Sequence, residues 1–378
     1  MAGGSGTRLW PASNSAQPKQ FLPAAYGSPA KGAAETFFSL SLQRAFQVVN
    51  KDSGRVMVIA GRAHLPHVIA ACSPLSAVEK KRLVLIPEPQ AKNTAPAIAC
   101  AVAYARVTGG RNNNMLVLTS DHIIKPPEAF IKDADTAVRF AAQGRLVLFG
   151  IPPSRPETGY GYIKTARKLD EGVYTVAEFR EKPDSPTAKK LAASPRYFWN
   201  SGMFAFNGEF LTEEFRRLAA GVTGPFERLR CPGEKSYIKT KGLRILTGWS
   251  GLDKAYRITQ GISFDYAIAA HCTRTVMIRA AFDWIDVGSW DEYARLLCGG
   301  SVGSGVTGTE TYAAGDCDGC FVDSDIPVAL AGVKDLVVVI RSGRDGMPQA
   351  ALIAKKGETQ RVRDIVERIK QTGRTEIL

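Results

Sequence analysis

The chain has 378 residues, 45% hydrophobic and 22% charged, with 49 Lys and Arg against 36 Asp and Glu for a formal charge of +13. That length supports a full hydrophobic core and favours two domains over one, and no apolar run reaches the roughly 18 to 20 residues that a membrane helix needs. The positive balance suits anionic ligands, but no run of five or six basic residues and no interleaving of aromatic with basic residues occurs, which argues for a phosphate site rather than a nucleic-acid surface.

In chain order the first signal is Ala2 to Pro11, AGGSGTRLWP. Gly3, Gly4 and Gly6 with Ser5, Thr7 and Arg8 suit a loop whose backbone N–H groups close on phosphate. No Gly-Lys-Ser/Thr follows, so it is not a Walker A loop. The third glycine position of a dinucleotide fingerprint holds Leu9, so it is not that motif either. Lys19 follows in QPKQFL. Arg offers a rigid fork for phosphate oxygens and Lys a mobile point charge. Arg55–Ala60, Leu83–Ile86, Met115–Thr119 and Leu146–Phe149 are short Val-, Ile- and Leu-rich runs without polar alternation, as in strands covered on both faces. Between them, Thr94–Arg106 reads as a helix with Thr94 as its cap and Pro96 in its first turn, and Glu128–Ala142 as another. Alternating strands and helices predict an α/β fold, Rossmann-like, with a mostly parallel sheet and helices on both faces.

After Leu297 the composition shifts. Cys298–Gly308 is rich in Gly and Ser and reads as a linker. The β-like pieces Cys320–Val322, Val328–Ala331 and Leu336–Ile340 follow. A helix then places Val362, Ile365, Val366 and Ile369 on one face, with Gly373 to end it. The expected division is an α/β domain over 1–297 and a small β-rich domain ending in a helix over 298–378. The seven cysteines are odd in number and scattered, and the single CxxC, Cys317 and Cys320, has no second pair, so reduced structural thiols are expected. The four histidines suggest packing or surface roles, and no Ser-His-Asp or Cys-His nucleophile is apparent.

GGSGTRLWP followed by PKQFL resembles the signature of the sugar nucleotidyltransferases, and within them the mannose-1-phosphate guanylyltransferase (GDP-mannose pyrophosphorylase) family. The resemblance continues in order through EPQAKNTAPA (Glu88–Ala97), TSDH (Thr119–His122), ETGYGYI (Glu157–Ile163), EFREKPD (Glu178–Asp184), WNSGMF (Trp199–Phe204), SFDYAI (Ser263–Ile268) and DWIDVGSWD (Asp283–Asp291), and into VALAGVKDLVVV (Val328–Val339). It implies GTP and mannose 1-phosphate as substrates, Mg2+ as cofactor and a C-terminal domain folded as a short left-handed β-helix; the missing signal peptide and membrane-length apolar run make a cytoplasmic location the expectation, and a homodimer is the expected assembly. The resemblance implies that Asp121 and Asp286 hold the metal, a hard-oxygen role two carboxylates can fill. Arg8 and Lys19 would complete the catalytic set. Glu88, Asn93 and Thr94 would bind the base with the Gly3–Arg8 loop on the phosphates, and Gly161, Glu181, Lys182 and Asn200 would hold the sugar phosphate. The implied reaction is in-line attack of a sugar-phosphate oxygen on the α-phosphorus of GTP, needing no general base because the nucleophile is already an anion.

The chain departs from that pattern in several places. Only Met1 and Ala2 precede Gly3, where the family carries a short hydrophobic strand; the expectation is that the start lies upstream or that this form is unstable and weakly active. Asn14 stands where Arg is usual, and Ala269-Ala270 where Met-Glu is usual, so a phosphate contact and a supporting carboxylate are expected to be missing. No isomerase activity of a further cupin-type domain is expected. The alternatives are another pair, such as glucose 1-phosphate with UTP or dTTP, and a non-catalytic homologue that binds nucleotide sugar and regulates.

Overall fold

The Val-, Ile- and Leu-rich runs become strands because each can bury both of its faces. The computed structural model describes residues 1, 6–24, 35–298, 311–314, 317–343 and 349–378. Gly3, Gly4, Ser5 and all of the expected linker except Cys298 lie outside the described residues. In chain order the strands are β1 (Val56–Gly61), β2 (Leu83–Glu88), β3 (Asn114–Val117), β4 (His122–Lys125), β5 (Leu146–Ile151), β6 (Tyr162–Asp170), β7 (Val173–Arg180), β8 (Tyr197–Asn207), β9 (Tyr237–Thr240), β10 (Leu243–Leu246), β11 (Thr275–Arg279), β12 (Asp283–Asp286), β13 (Thr311–Ala314), β14 (Phe321–Ser324), β15 (Val328–Ala331), β16 (Leu336–Ser342) and β17 (Gln349–Lys355).

The chain folds as two units. One comprises Met1–Gly3, Ser41–Ser120 and Ile124–Trp284; the other comprises Gly4–Leu40, Asp121–Ile123 and Ile285–Leu378. The first is α/β. A four-stranded sheet runs β1-β2-β10-β9, and a six-stranded sheet runs β3-β8-β5-β11-β7-β6, with β6 also pairing the start of β8. The ladders β1–β2, β2–β10 and β5–β11 are parallel. The remaining ladders of the two sheets are antiparallel. Alternation along β5 shows how both faces are covered. Leu146 and Leu148 enter one core with the helix Thr94–Gly109, while Val147 and Phe149 enter another with the helix Pro127–Ala142. The cap of the first of these helices differs from expectation. Asn93, at φ 71°, accepts the N–H of Thr94, which leaves the Thr94 hydroxyl free to accept the Phe264 N–H at 2.8 Å.

The second unit joins the two ends of the sequence. One core holds Leu9, Trp10, Phe37, Trp290, Tyr293, Phe321, Val337, Val339, Leu352, Val362 and Val366. The indole N–H of fully buried Trp290 donates to the Trp10 carbonyl at 2.9 Å, and the Trp10 indole donates to the Ile377 carbonyl at 2.6 Å. The β-rich part stacks short strands in parallel, β13 on β15 and β14 on β16, so that Thr311 faces Val328 and Phe321 faces Val337. This is how successive coils of a β-helix lie on one another. Antiparallel β17 then covers β16. The closing helix, Val362–Gln371, buries Val362 and Val366, whereas Ile365, expected on the same face, is 40% exposed. Gly373 follows it at φ +75°, the left-handed conformation that ends helices.

Candidate functional site

Within the second unit the described part of the glycine loop leads into a one-turn 3-10 helix, Thr7–Leu9, and Lys19 opens another, Lys19–Phe21. Gly6 has φ +59°, and a Cβ there would lie 2.3 Å from the Cβ of Lys19. Glycine is therefore required twice over, by conformation and by the closeness of Lys19. Asn14, which stands where the resembled family usually carries Arg, is buried. Its side-chain oxygen accepts the N–H groups of Ala16 and Gln17, both at 2.9 Å, so it shapes the turn that leads to Lys19.

Lys19 is 6% exposed. Its ammonium lies 3.1 Å from Asp121 Oδ2 and 2.8 Å from Asp286 Oδ1. Burial opposes its charge, but the two carboxylates outweigh burial and hold its pKa above the usual lysine value. Burial likewise opposes the carboxylate charges, and Lys19, with His122 next, holds both Asp121 and Asp286 below the ordinary carboxylate range. Arg8 adds to the field at Asp286 and is exposed. A Cβ on Gly288 would lie 3.1 Å from the Arg8 guanidinium. The structure thus brings Arg8, Lys19, Asp121 and Asp286 together from three separate stretches of sequence.

Sequence reasoning missed His122. It is buried, and its Nε2 lies 3.7 Å from both Asp121 Oδ1 and Asp286 Oδ1. The signal available was its adjacency to Asp121. Among the described residues, Asp121, His122 and Asp286 form a group whose ligand atoms all lie within 4.8 Å of one another. Two carboxylate oxygens and an imidazole nitrogen this close together are ligand types that a divalent cation accepts.

The other expected residues lie in the first unit. Glu88 ends β2, is 8% exposed, and accepts the Tyr256 hydroxyl at 2.9 Å. Burial pushes its carboxyl above the usual range, against the hydrogen bond from Tyr256. Asn93 and Thr94 start the helix that follows β2, and the Ala95 N–H donates to the Ile262 carbonyl, which ties this helix start to the 262–264 segment. Gly161 accepts the Asn200 N–H at 2.8 Å through its carbonyl. Glu181 pairs through Oε1 with the Lys182 ammonium, and a Cβ on Gly161 would lie 2.6 Å from Glu181 Oε2. Asn200, on β8, donates from Nδ2 to Asp265 Oδ1 at 2.7 Å. Gly161, Glu181, Lys182 and Asn200 therefore fall in one neighbourhood, and so does Asp265, which sequence reasoning left inside its block without a role. The segment Ser263–Asp265 links the two groups: Phe264 bonds to Thr94 and Asp265 to Asn200.

Known proteins match this chain closely. The Nucleotidyl transferase family matches residues 1–298. The xanthan biosynthesis protein XanB of Xanthomonas campestris is 33% identical over 384 residues, covering 100% of this chain and 73% of that protein. The mannose-1-phosphate guanylyltransferase RfbM of Salmonella typhimurium is 32% identical over 389 residues, with 100% and 73% covered. A crystal structure described as mannose-1-phosphate geranyltransferase from Thermus thermophilus superposes with a TM-score of 0.77 at 28% identity, covering 98% of each chain. Among the described residues no helix is long and apolar enough to cross a membrane.

Proposed function

Because the chain belongs to the nucleotidyl transferase family, we propose that it transfers GMP from GTP to mannose 1-phosphate, giving GDP-mannose and pyrophosphate. The observation that carries this reading is the buried Lys19 ammonium held between Asp121 and Asp286, with Arg8 beside Asp286. A charged set of this kind serves a polyphosphate better than it serves packing. The names of relatives similar over the whole chain support the choice of substrates.

In the reaction a phosphate oxygen of mannose 1-phosphate forms a bond to the α-phosphorus of GTP. The bond from that phosphorus to the oxygen bridging the β-phosphate breaks, and its electron pair leaves with pyrophosphate. Lys19 and Arg8 supply positive charge to the triphosphate, Lys19 as a mobile point and Arg8 as a fork. The loop around Gly6 sets where Lys19 stands. Glu88 and the 93–94 helix start serve the base, and Gly161, Glu181, Lys182 and Asn200 serve the sugar phosphate. Asp121 and Asp286, with His122, would hold a divalent cation, Mg2+ by family, which neutralises phosphate charge when bound. Catalysis is then positioning and charge neutralisation without a covalent enzyme intermediate.

The test is pyrophosphate release by the purified protein with Mg2+, across GTP, UTP and dTTP and across mannose 1-phosphate and glucose 1-phosphate. Release confined to GTP with mannose 1-phosphate is expected. Release with another pair replaces the substrates, and silence with every pair replaces the enzyme with a binding homologue.

A further inference from the structure

We infer that Asp265 is a specificity-determining residue for the sugar, forming with Glu181 a pair of carboxylate acceptors for hydroxyl groups of the sugar 1-phosphate. The inference deepens the reading of Gly161, Glu181, Lys182 and Asn200 given above and rests on it.

The starting point is an unmet polar group. The Glu181 side chain is 7% exposed. Its Oε1 takes the Lys182 ammonium, while Oε2 is sealed from solvent and has no hydrogen-bond partner. Leaving a buried carboxylate oxygen unpaired is costly, and such groups ask for an explanation in a ligand or water. Gly161 brings bare backbone to this oxygen; any side chain there would strike it. The absence of a Cβ at Gly161 is what lets this unpaired oxygen come so close to the backbone.

Asp265 supplies the second acceptor. It opens the π-helical turn Asp265–Ala269, an irregularity often found at functional sites. Asn200 Nδ2 fixes one of its oxygens at 2.7 Å, and the Asn200 oxygen is itself held by the Gly202 N–H at 3.2 Å. The carboxyl of Asp265 is pushed up to about 6, by burial first and then by the negative charge of Glu181. Asn200 ties the two carboxylates to one place, its backbone N–H donating to the carbonyl of Gly161 beside Glu181 Oε2 and its side-chain amide to Asp265. Adjacent hydroxyls on a pyranose ring present donors that satisfy both acids, and the neighbouring Lys182 ammonium suits the phosphate on the same ring. A metal ion is a poorer fit, because the Asn200 amide and the Lys182 ammonium present donors to the same space.

The experiment is a substrate–mutant cycle. Wild type and Asp265→Asn are titrated calorimetrically with mannose 1-phosphate and with its 2-, 3-, 4- and 6-deoxy analogues, with turnover measured in parallel. Asp265→Asn is expected to weaken mannose 1-phosphate binding about tenfold to a hundredfold, the loss of a charge-assisted hydrogen bond, with KM for GTP unchanged. The penalty for one deoxy position, present in wild type, is expected to disappear in the variant. A merely structural role would leave every deoxy penalty as it is in wild type, and that result overturns the inference. Absence of mannose 1-phosphate binding to wild type removes the inference together with the sugar reading beneath it, whereas normal wild-type binding with unaltered penalties removes the inference alone. If Asp265→Asn fails to fold, Asp265→Ser carries the same cycle.

Discussion

At the residue scale the proposed chemistry centres on a buried lysine with two acids. In that proposal Lys19 meets charge that shifts during nucleotidyl transfer, so Lys19→Ala is expected to lower kcat by about a hundredfold or more while changing KM for GTP less. Steady-state kinetics with a wild-type kcat would remove Lys19 from the catalytic set. The same cluster gives a pH signature. Asp286 is depressed in the folded protein, chiefly by Lys19 working against burial. Its stabilisation is therefore present above the unfolded carboxylate value of about 4 and fades as the pH falls through the folded value. The gap in melting temperature between wild type and Asp286→Asn is expected to be widest near neutrality and to close as the pH drops below about 4; a gap of constant size would contradict the ion-pair account. Lys19 is raised, so its share persists up to the unfolded lysine value of about 10 and is lost only above it. Lys19, Asp121 and Asp286 were singled out because the motifs around them resemble a family signature, since an Asp in a turn is by itself more often a cap. His122 was not, because its one sequence signal, adjacency to Asp121, gives no distance to Asp286, which stands far along the chain.

At the scale of elements, local conformation places that charge. Gly6 stands at φ +59° against Lys19, so Gly6→Ala is expected to be destabilised by about 1–3 kcal/mol through backbone strain and contact. It is also expected to lose activity beyond what its lowered stability explains. Thermal unfolding and kinetics on the same sample separate the two effects, and an active, fully stable Gly6→Ala would show the loop to be tolerant. The helix and strand positions themselves were readable: Thr94–Gly109 and Pro127–Ala142 fall where periodicity and Pro signals put them. Strand direction was not. Met115 and its neighbours are as apolar as a parallel strand, yet β3 runs antiparallel to β8, because burial on both faces sets composition whereas connectivity sets direction. The helix cap fell one residue earlier than expected, since Asn93 could adopt the left-handed backbone that frees Thr94 for Phe264.

At the scale of the molecule, sequence order and spatial order part company. A change of composition after Leu297 is visible to the eye, and the β-rich character of the C-terminal segment was legible from its short apolar runs. Nothing local in Trp10, however, announces a hydrogen bond to Ile377, or that Val366 shares a core with Leu9. Those contacts span nearly the whole chain, and pattern reading works over windows of a dozen or so residues. Ser15 and Leu378 are joined in the same way, the Ser15 N–H donating to the Leu378 carbonyl at 3.0 Å.

The shared core of Trp10, Trp290 and Val366 makes the last eighty or so residues a chaperone in cis for the phosphate loop. A polypeptide stopped at Leu297 would contain every side chain assigned to substrate and still lose Phe321, Val337, Val339, Leu352, Val362 and Val366 from the core that holds Leu9 and Trp10. Produced separately, fragments 1–297 and 298–378 are each expected to be silent, and mixing them during refolding is expected to restore pyrophosphate release in proportion to the heterodimer formed. Full turnover from the longer fragment alone would mean that the loop holds its shape unaided. Complementation would instead show that these two stretches of sequence must meet before either can be useful, so a change far from every proposed substrate contact can still act on the proposed site.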